Sequence, residues 1–181
     1  MRRADVPTLT VSLPPFDQLT GVRLGMSVSE LQGRRPARQE PYVGLTEPID
    51  GGRIEYRFGH DAPGEGRPEG NLSAITARYG LAEKPADTLA AARVSLLASR
   101  IGRPVSCERR SVGQTQSVRA RWHRDGQALE VVLVHEASPD SGGKPPAYTL
   151  LEIVSDDTAS HPPKGAITSR VMGDCVAAFR R

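Results

Sequence analysis

Few side chains in this 181-residue chain have the types and spacing for chemistry. His60-Asp61 sets a carboxylate beside an imidazole, a pairing that can orient a general base. It stands in a Gly/Pro-rich stretch, where a solvated loop pair is the simpler reading. His123 and His135 fall in a predicted hairpin whose register sets them opposite Ala128 and Gln116. Neither has a second metal-ligand type beside it, so no metal site is expected. Asp156-Asp157 and Asp140 could pair as acid and base, but they sit at a strand end and in a loop, where carboxylates are ordinary. Gly64-Glu65-Gly66 is not followed by the Gly-Lys-Ser/Thr of a phosphate loop. Cys107 and Cys175 allow one disulfide tying the tail to the sheet, worth about 4–5 kcal/mol by chain entropy. The simpler reading leaves Cys175 a reduced thiol on an apolar stripe, which a cytosolic location favours. These residues point to no catalytic group, no cofactor and no metal, and the chain reads as a non-enzyme.

The composition is that of a folded domain poor in aromatics, with 38% hydrophobic, 25% charged and 4% aromatic residues. Eighteen glycines and fifteen prolines predict long turns and extended tails. No apolar run is long enough to cross a membrane, and no apolar stretch follows Met1-Arg2-Arg3 as a signal segment would require. The net charge of +3 is unevenly spread. Arg93 to Arg124 holds eight arginines and one acid, Glu108, while Asp125 to Asp157 holds seven acids and one Lys144. A basic block of this kind can mark a nucleic-acid surface. Neighbouring strands that neutralise each other explain it more simply, so no nucleic-acid partner is expected.

Periodicity supplies the elements that hold these residues. Thr8–Leu13 alternates polar and apolar, as an edge strand or an arm that adds to a partner's sheet would. Ser27-Val28-Ser29-Glu30 has the spacing of a capping box, with Met26 and Leu31 placed as a hydrophobic staple. Arg53–Phe58 alternates with Ile54, Tyr56 and Phe58 inward, and Leu72–Leu81 reads as a second strand. Asp87-Thr88 is placed as the cap of a helix that runs to Ile101, buries Ala90, Val94 and Leu97, and ends at Gly102 and Pro104. Asp125-Gly126 between alternating runs predicts a two-residue hairpin. Its register pairs Trp122 with Leu129, Ala120 with Val131, Val118 with Leu133 and Arg121 with Glu130. Ala147–Val154 is apolar on both faces and reads as an internal strand. Ile167, Val171, Met172, Cys175, Val176 and Phe179 form a helical stripe in the tail, too short to hold alone in water.

The predicted fold is α+β: an antiparallel β-meander sheet with two packed helices, an extended N-terminal arm and a C-terminal amphipathic helix. The boundaries are an arm over 1–16, a body over 17–157, and a linker with a docking helix over 158–181. Within the body, a helix followed by strands recurs over 20–82 and 86–157, by pattern rather than identity. Tandem helix-plus-meander order, with Leu24-Gly25-Met26-Ser27 entering the first helix, Gly70-Asn71-Leu72, and Arg121-Trp122, resembles the β-lactamase-inhibitor-protein-like superfamily over residues 18–155. That group includes small bacterial envelope assembly lipoproteins. The resemblance implies a concave antiparallel sheet that binds protein partners without catalysis. The chain departs from the group in having no lipid-acceptor cysteine near its start and no signal segment.

Together these readings predict a protein–protein interaction module, an accessory or assembly subunit of a larger bacterial complex that is membrane-associated through a partner. The residues assigned to partner binding are Leu9, Val11 and Leu13 in the arm, and Ile167, Val171, Met172, Cys175, Val176, Phe179, Arg180 and Arg181 in the tail. The basic tail makes any direct membrane contact weak. The alternative is a small-ligand or anion-binding domain, enzymatic or not, that uses the sheet face and the arginine-rich segment. The residues favour a cytoplasmic location or the cytoplasmic face of a membrane complex, whereas the resemblance implies the periplasm.

Overall fold

Alternating strands joined by tight turns build one nine-stranded antiparallel sheet in a computed structural model that describes residues 19, 21–40, 44–59, 70–81, 83–136, 147–156 and 164–180. The elements are α1 (Val28–Gln32), β1 (Arg38–Glu40), β2 (Gly44–Ile49), β3 (Gly52–Phe58), β4 (Leu72–Leu81), α2 (Glu83–Ile101), β5 (Ser106–Val112), β6 (Thr115–Arg124), β7 (Gln127–Glu136), β8 (Ala147–Ser155), β9 (Ile167–Arg170) and α3 (Cys175–Ala178). The sheet order is β1-β2-β3-β4-β8-β7-β6-β5-β9. Each half of the chain is thus a helix followed by four antiparallel strands, and the halves meet where their last strands, β4 and β8, pair.

Register places the core on one face. Tyr56 lies beside Ile75, Ile75 beside Val154, Val154 beside Leu129, and Leu129 beside Trp122. Side chains alternate across a strand, so these residues share the face on which the helices pack. Two apolar clusters lie there. One gathers Leu31 of α1 with Leu45, Ile54, Tyr56 and Leu72, and the other gathers Ala90, Val94 and Leu97 of α2 with Trp122, Val131 and Leu150.

Local chemistry explains the joints. Ser27 accepts from the Glu30 amide while the Glu30 carboxylate accepts from the Ser27 amide, the reciprocal cap expected from their spacing. Asp125 and Gly126 both have positive φ, the geometry that lets a two-residue turn follow strand twist. The four predicted hairpin pairs all form. Trp122 Nε1 donates to the Gly102 carbonyl at 2.8 Å and fastens the end of α2 to the sheet.

Four expectations are corrected. The helix α2 begins at Glu83, a turn before Asp87-Thr88, because Pro85 falls in the first turn, where a missing amide donor costs nothing. Strands β1, β2 and β5 carry no apolar alternation and are additional to the expected set; β2 holds a proline and β5 reads Ser-Cys-Glu-Arg-Arg-Ser-Val. The tail is not one amphipathic helix. Residues 167–170 pair with β5 as strand β9, and only Cys175–Ala178 is helical. Gly173 has a φ of 105°, which breaks the helical stripe between Met172 and Cys175. Finally, Cys175 is not a free thiol: it is bonded to Cys107, closing a separation of 68 residues. The predicted strand at Thr8–Leu13 lies outside the described residues.

Candidate functional site

All three helices lie on one side of the sheet. α2 packs on β7 and β8, α1 joins the cluster of Leu45 and Tyr56, and α3 is tied to Cys107, beside Ala120. Among the described residues no helix covers the opposite face.

Two rows of side chains run across that uncovered face. In one, Arg53, Arg78, Leu151, Val132, Arg119 and Glu108 are successive neighbours. In the next, Glu55, Thr76, Ile153, Glu130 and Arg121 are neighbours. The middle of both rows is apolar: Leu151 and Ile153 are half-buried, and Val132 is buried. Ionic clusters flank it. On the β3–β4 side, Glu55 accepts from Arg53 at 2.8 Å and from Arg78 at 2.7 Å. On the β5–β7 side, Glu130 accepts from Arg119 at 2.7 Å and lies 3.3 Å from Arg121, while Glu108 accepts from Arg110 at 2.8 Å.

The second cluster sets Arg110, Arg119 and Arg121 against Glu108 and Glu130. Burial lowers the Arg119 pKa foremost; Glu130 opposes that, and the nearby Arg110 and Arg121 lower it further. Guanidinium stays charged even so. The buried Nε atoms of Arg57 and Arg119 have no hydrogen-bond partner among the described residues. In the two clusters Arg53, Arg78, Arg110, Arg119 and Arg121 stand against Glu55, Glu108 and Glu130, so the face holds positive charge in excess.

The predicted site residues scatter. Leu9, Val11, Leu13 and Arg181 lie outside the described residues, as do His60, Asp61, Asp140, Asp157 and the Gly64–Gly66 window. Phe179 and Cys175 are buried against the chain's own core, and Val171 and Val176 pack beside them. Ile167 at 76% and Met172 at 87% are exposed, and so is Arg180. The tail thus finds its support on α2 and β5 of the same chain. His135 stands opposite Gln116 as its register predicts and stacks on Tyr148, with centroids 4.7 Å apart. His123 is exposed opposite Ala128, and Asp156 bonds through its amide to the Ser73 carbonyl. No group of three or more metal-ligating side chains occurs among the described residues.

Two further buried carboxyl groups, Glu47 and Glu152, escape a sequence reading. Glu47 accepts from Tyr56 Oη at 3.0 Å and from Arg35 Nε at 3.0 Å, beneath α1. Burial raises the Tyr56 pKa, with Glu47 adding to the shift, so the phenol stays a donor. Arg35 is raised by the same carboxylate. Under α2, Glu152 lies 3.2 Å from Arg93, and burial pushes its carboxyl up to about 7. The signal for the surface clusters was present in the alternation of Arg53, Glu55 and Arg57, but the partner Arg78 required strand pairing. No family model, no curated protein and no solved structure matches the chain.

Proposed function

We propose that this chain is a non-catalytic protein-binding module whose uncovered sheet face receives a partner polypeptide. The carrying observation is the arrangement of that face: apolar Leu151, Ile153 and Val132 in the centre, bracketed by the Arg53–Arg78–Glu55 and Arg119–Arg121–Glu130 clusters. An apolar centre with a polar rim is how protein interfaces are built. The excess of guanidinium selects a partner that presents apolar residues between carboxylates, since charge complementarity sets register and on-rate. The two helix-plus-four-strand halves joined at β4–β8 support a tandem repeat and the resemblance to the β-lactamase-inhibitor-protein-like superfamily. That resemblance implies partner binding by the sheet, in the manner of an accessory or assembly subunit of a bacterial membrane-associated complex.

The Cys107–Cys175 bond supports residence in an oxidising compartment such as the periplasm rather than the cytoplasm. It also reduces the tail's share of docking. Ile167, Met172 and Arg180 remain available, whereas Cys175 and Phe179 serve the chain's own core.

The test is photo-cross-linking in the native cell, with the cross-linker at Ile153 and a control at Ser95 on the exposed side of α2. One discrete adduct from Ile153, lost in Arg119→Glu and absent from Ser95, is the expected result. Equal labelling from both positions, or none from Ile153, removes the reading.

A further inference from the structure

A second feature lies on the helix-bearing face, beyond the reach of α2, and stands independently of the partner reading. Two neighbouring rows are left uncovered there: Ser169, Arg109, Val118 and Leu133 in one, and Ser111, Gln116, His135 and Tyr148 in the other. They line a half-open cavity of about 260 Å³ together with Asp87 of α2. That volume is just below the usual range for small-molecule sites, which limits the ligand to a small one.

We propose that this cavity binds a small aromatic carboxylate bearing a hydroxyl group. Each part of the ligand answers a feature of the lining. Val118 and Leu133 supply an apolar surface, and the parallel rings of His135 and Tyr148, inclined by 14°, offer a flat body a stacking partner. Arg109 is the carboxylate receptor: it spends one donor on the Ala178 carbonyl at 3.2 Å, and its planar fork has five. His135 Nε2 is buried and has no hydrogen-bond partner among the described residues, an arrangement that is costly unless a bound group completes it. A turn of the ring that opens this nitrogen to the cavity lets the ligand hydroxyl complete it. Arg109 on β5 and His135 on β7 stand two strands and one row apart, about 12 Å at the backbone. Their side chains border the same cavity from its two sides, so a carboxylate and a hydroxyl at opposite ends of one ring meet one each.

The experiment titrates the full-length, disulfide-bonded chain with 4-hydroxybenzoate, benzoate and inorganic phosphate, read by nuclear magnetic resonance. The expected result is saturable binding of 4-hydroxybenzoate with shifts at Arg109, His135 and Tyr148. Loss of the charge-assisted contact in Arg109→Gln weakens it by about tenfold or more. Benzoate binds several-fold more weakly than 4-hydroxybenzoate to the parent chain, and His135→Phe brings the two together. Because Arg109 also holds the tail, Gln116→Trp provides a second variant: Gln116 is exposed at the cavity mouth, and an indole there blocks entry without removing a described bond. Binding that survives both variants, absence of saturation, or phosphate binding as tight as 4-hydroxybenzoate overturns the proposal. Shifts confined to Arg119 and Arg121 on the other face overturn it as well.

Discussion

Glu152 shows how much one buried carboxyl can shape the behaviour of the chain. It lies beneath α2 with Arg93 3.2 Å away, and its Oε2 has no hydrogen-bond partner among the described residues. Burial raises its pKa from 4.5 to about 7, against the lowering effect of Arg93. Between those two values the folded chain keeps a proton that the unfolded chain has released. Stability therefore falls as pH rises through that window and is level above it, a total of about 3 kcal/mol. The denaturation midpoint should drop from about pH 5 to about pH 7 and then hold, and Glu152→Gln should flatten the profile. Glu47 is buried too, and Tyr56 and Arg35 both donate to it. Tyr56→Phe strips one donor from a buried carboxylate and should cost about 1–3 kcal/mol, measured by urea unfolding.

At the scale of elements, caps and turns were readable, and charged strands were not. Ser27 and Glu30 declare α1 by spacing alone, and Asp125-Gly126 fixes the register of ten residue pairs across β6 and β7. Ser27→Ala should destabilise by about 1 kcal/mol in thermal melts, since α1 has only five residues to share the loss. Strand β5 was hidden because its buried residues are Cys107 and Arg110, and neither side chain reads as core in isolation. Their burial follows from the neighbours: Cys107 is bonded to Cys175, and Arg110 pairs with Glu108. The uncovered face was legible only in part. The Arg121–Glu130 pair on it follows from the hairpin register, but its ionic brackets join strands distant in sequence, and Arg78 meets Glu55 only once β3 and β4 pair. The break at Gly173 turned a plausible tail helix into a strand and a single turn, because local periodicity carries no account of pairing with β5. Gly52 tests the β3–β4 joint. A Cβ there would fall 2.1 Å from the Arg78 carbonyl, so Gly52→Ala should displace the strands and lower the melting temperature by several degrees, more than at exposed Gly80, where space is open.

For the whole molecule, the Cys107–Cys175 bond unites the last segment with the sheet. Closing 68 residues is worth about 4 kcal/mol in the chain-entropy account. Replacing both cysteines by serine should lower the denaturant midpoint. Hydrogen exchange should rise first in β9 and α3, while β6, β7 and β8 keep their protection. Uniform loss of protection across the sheet would show instead that the clip supports every strand.

The β4–β8 seam has a consequence for how the chain is made. Residues 74–81 pair with residues 148–155, so β4 has no neighbour on that side until synthesis has passed Ser155. A nascent chain halted after α2 presents an unpaired ten-residue edge, Leu72–Leu81, to any other strand nearby. Pairings this distant in sequence form slowly. Two growing copies are therefore able to exchange their second halves at this edge, and a holding chaperone that acts before β8 emerges is the simplest safeguard against that misassembly.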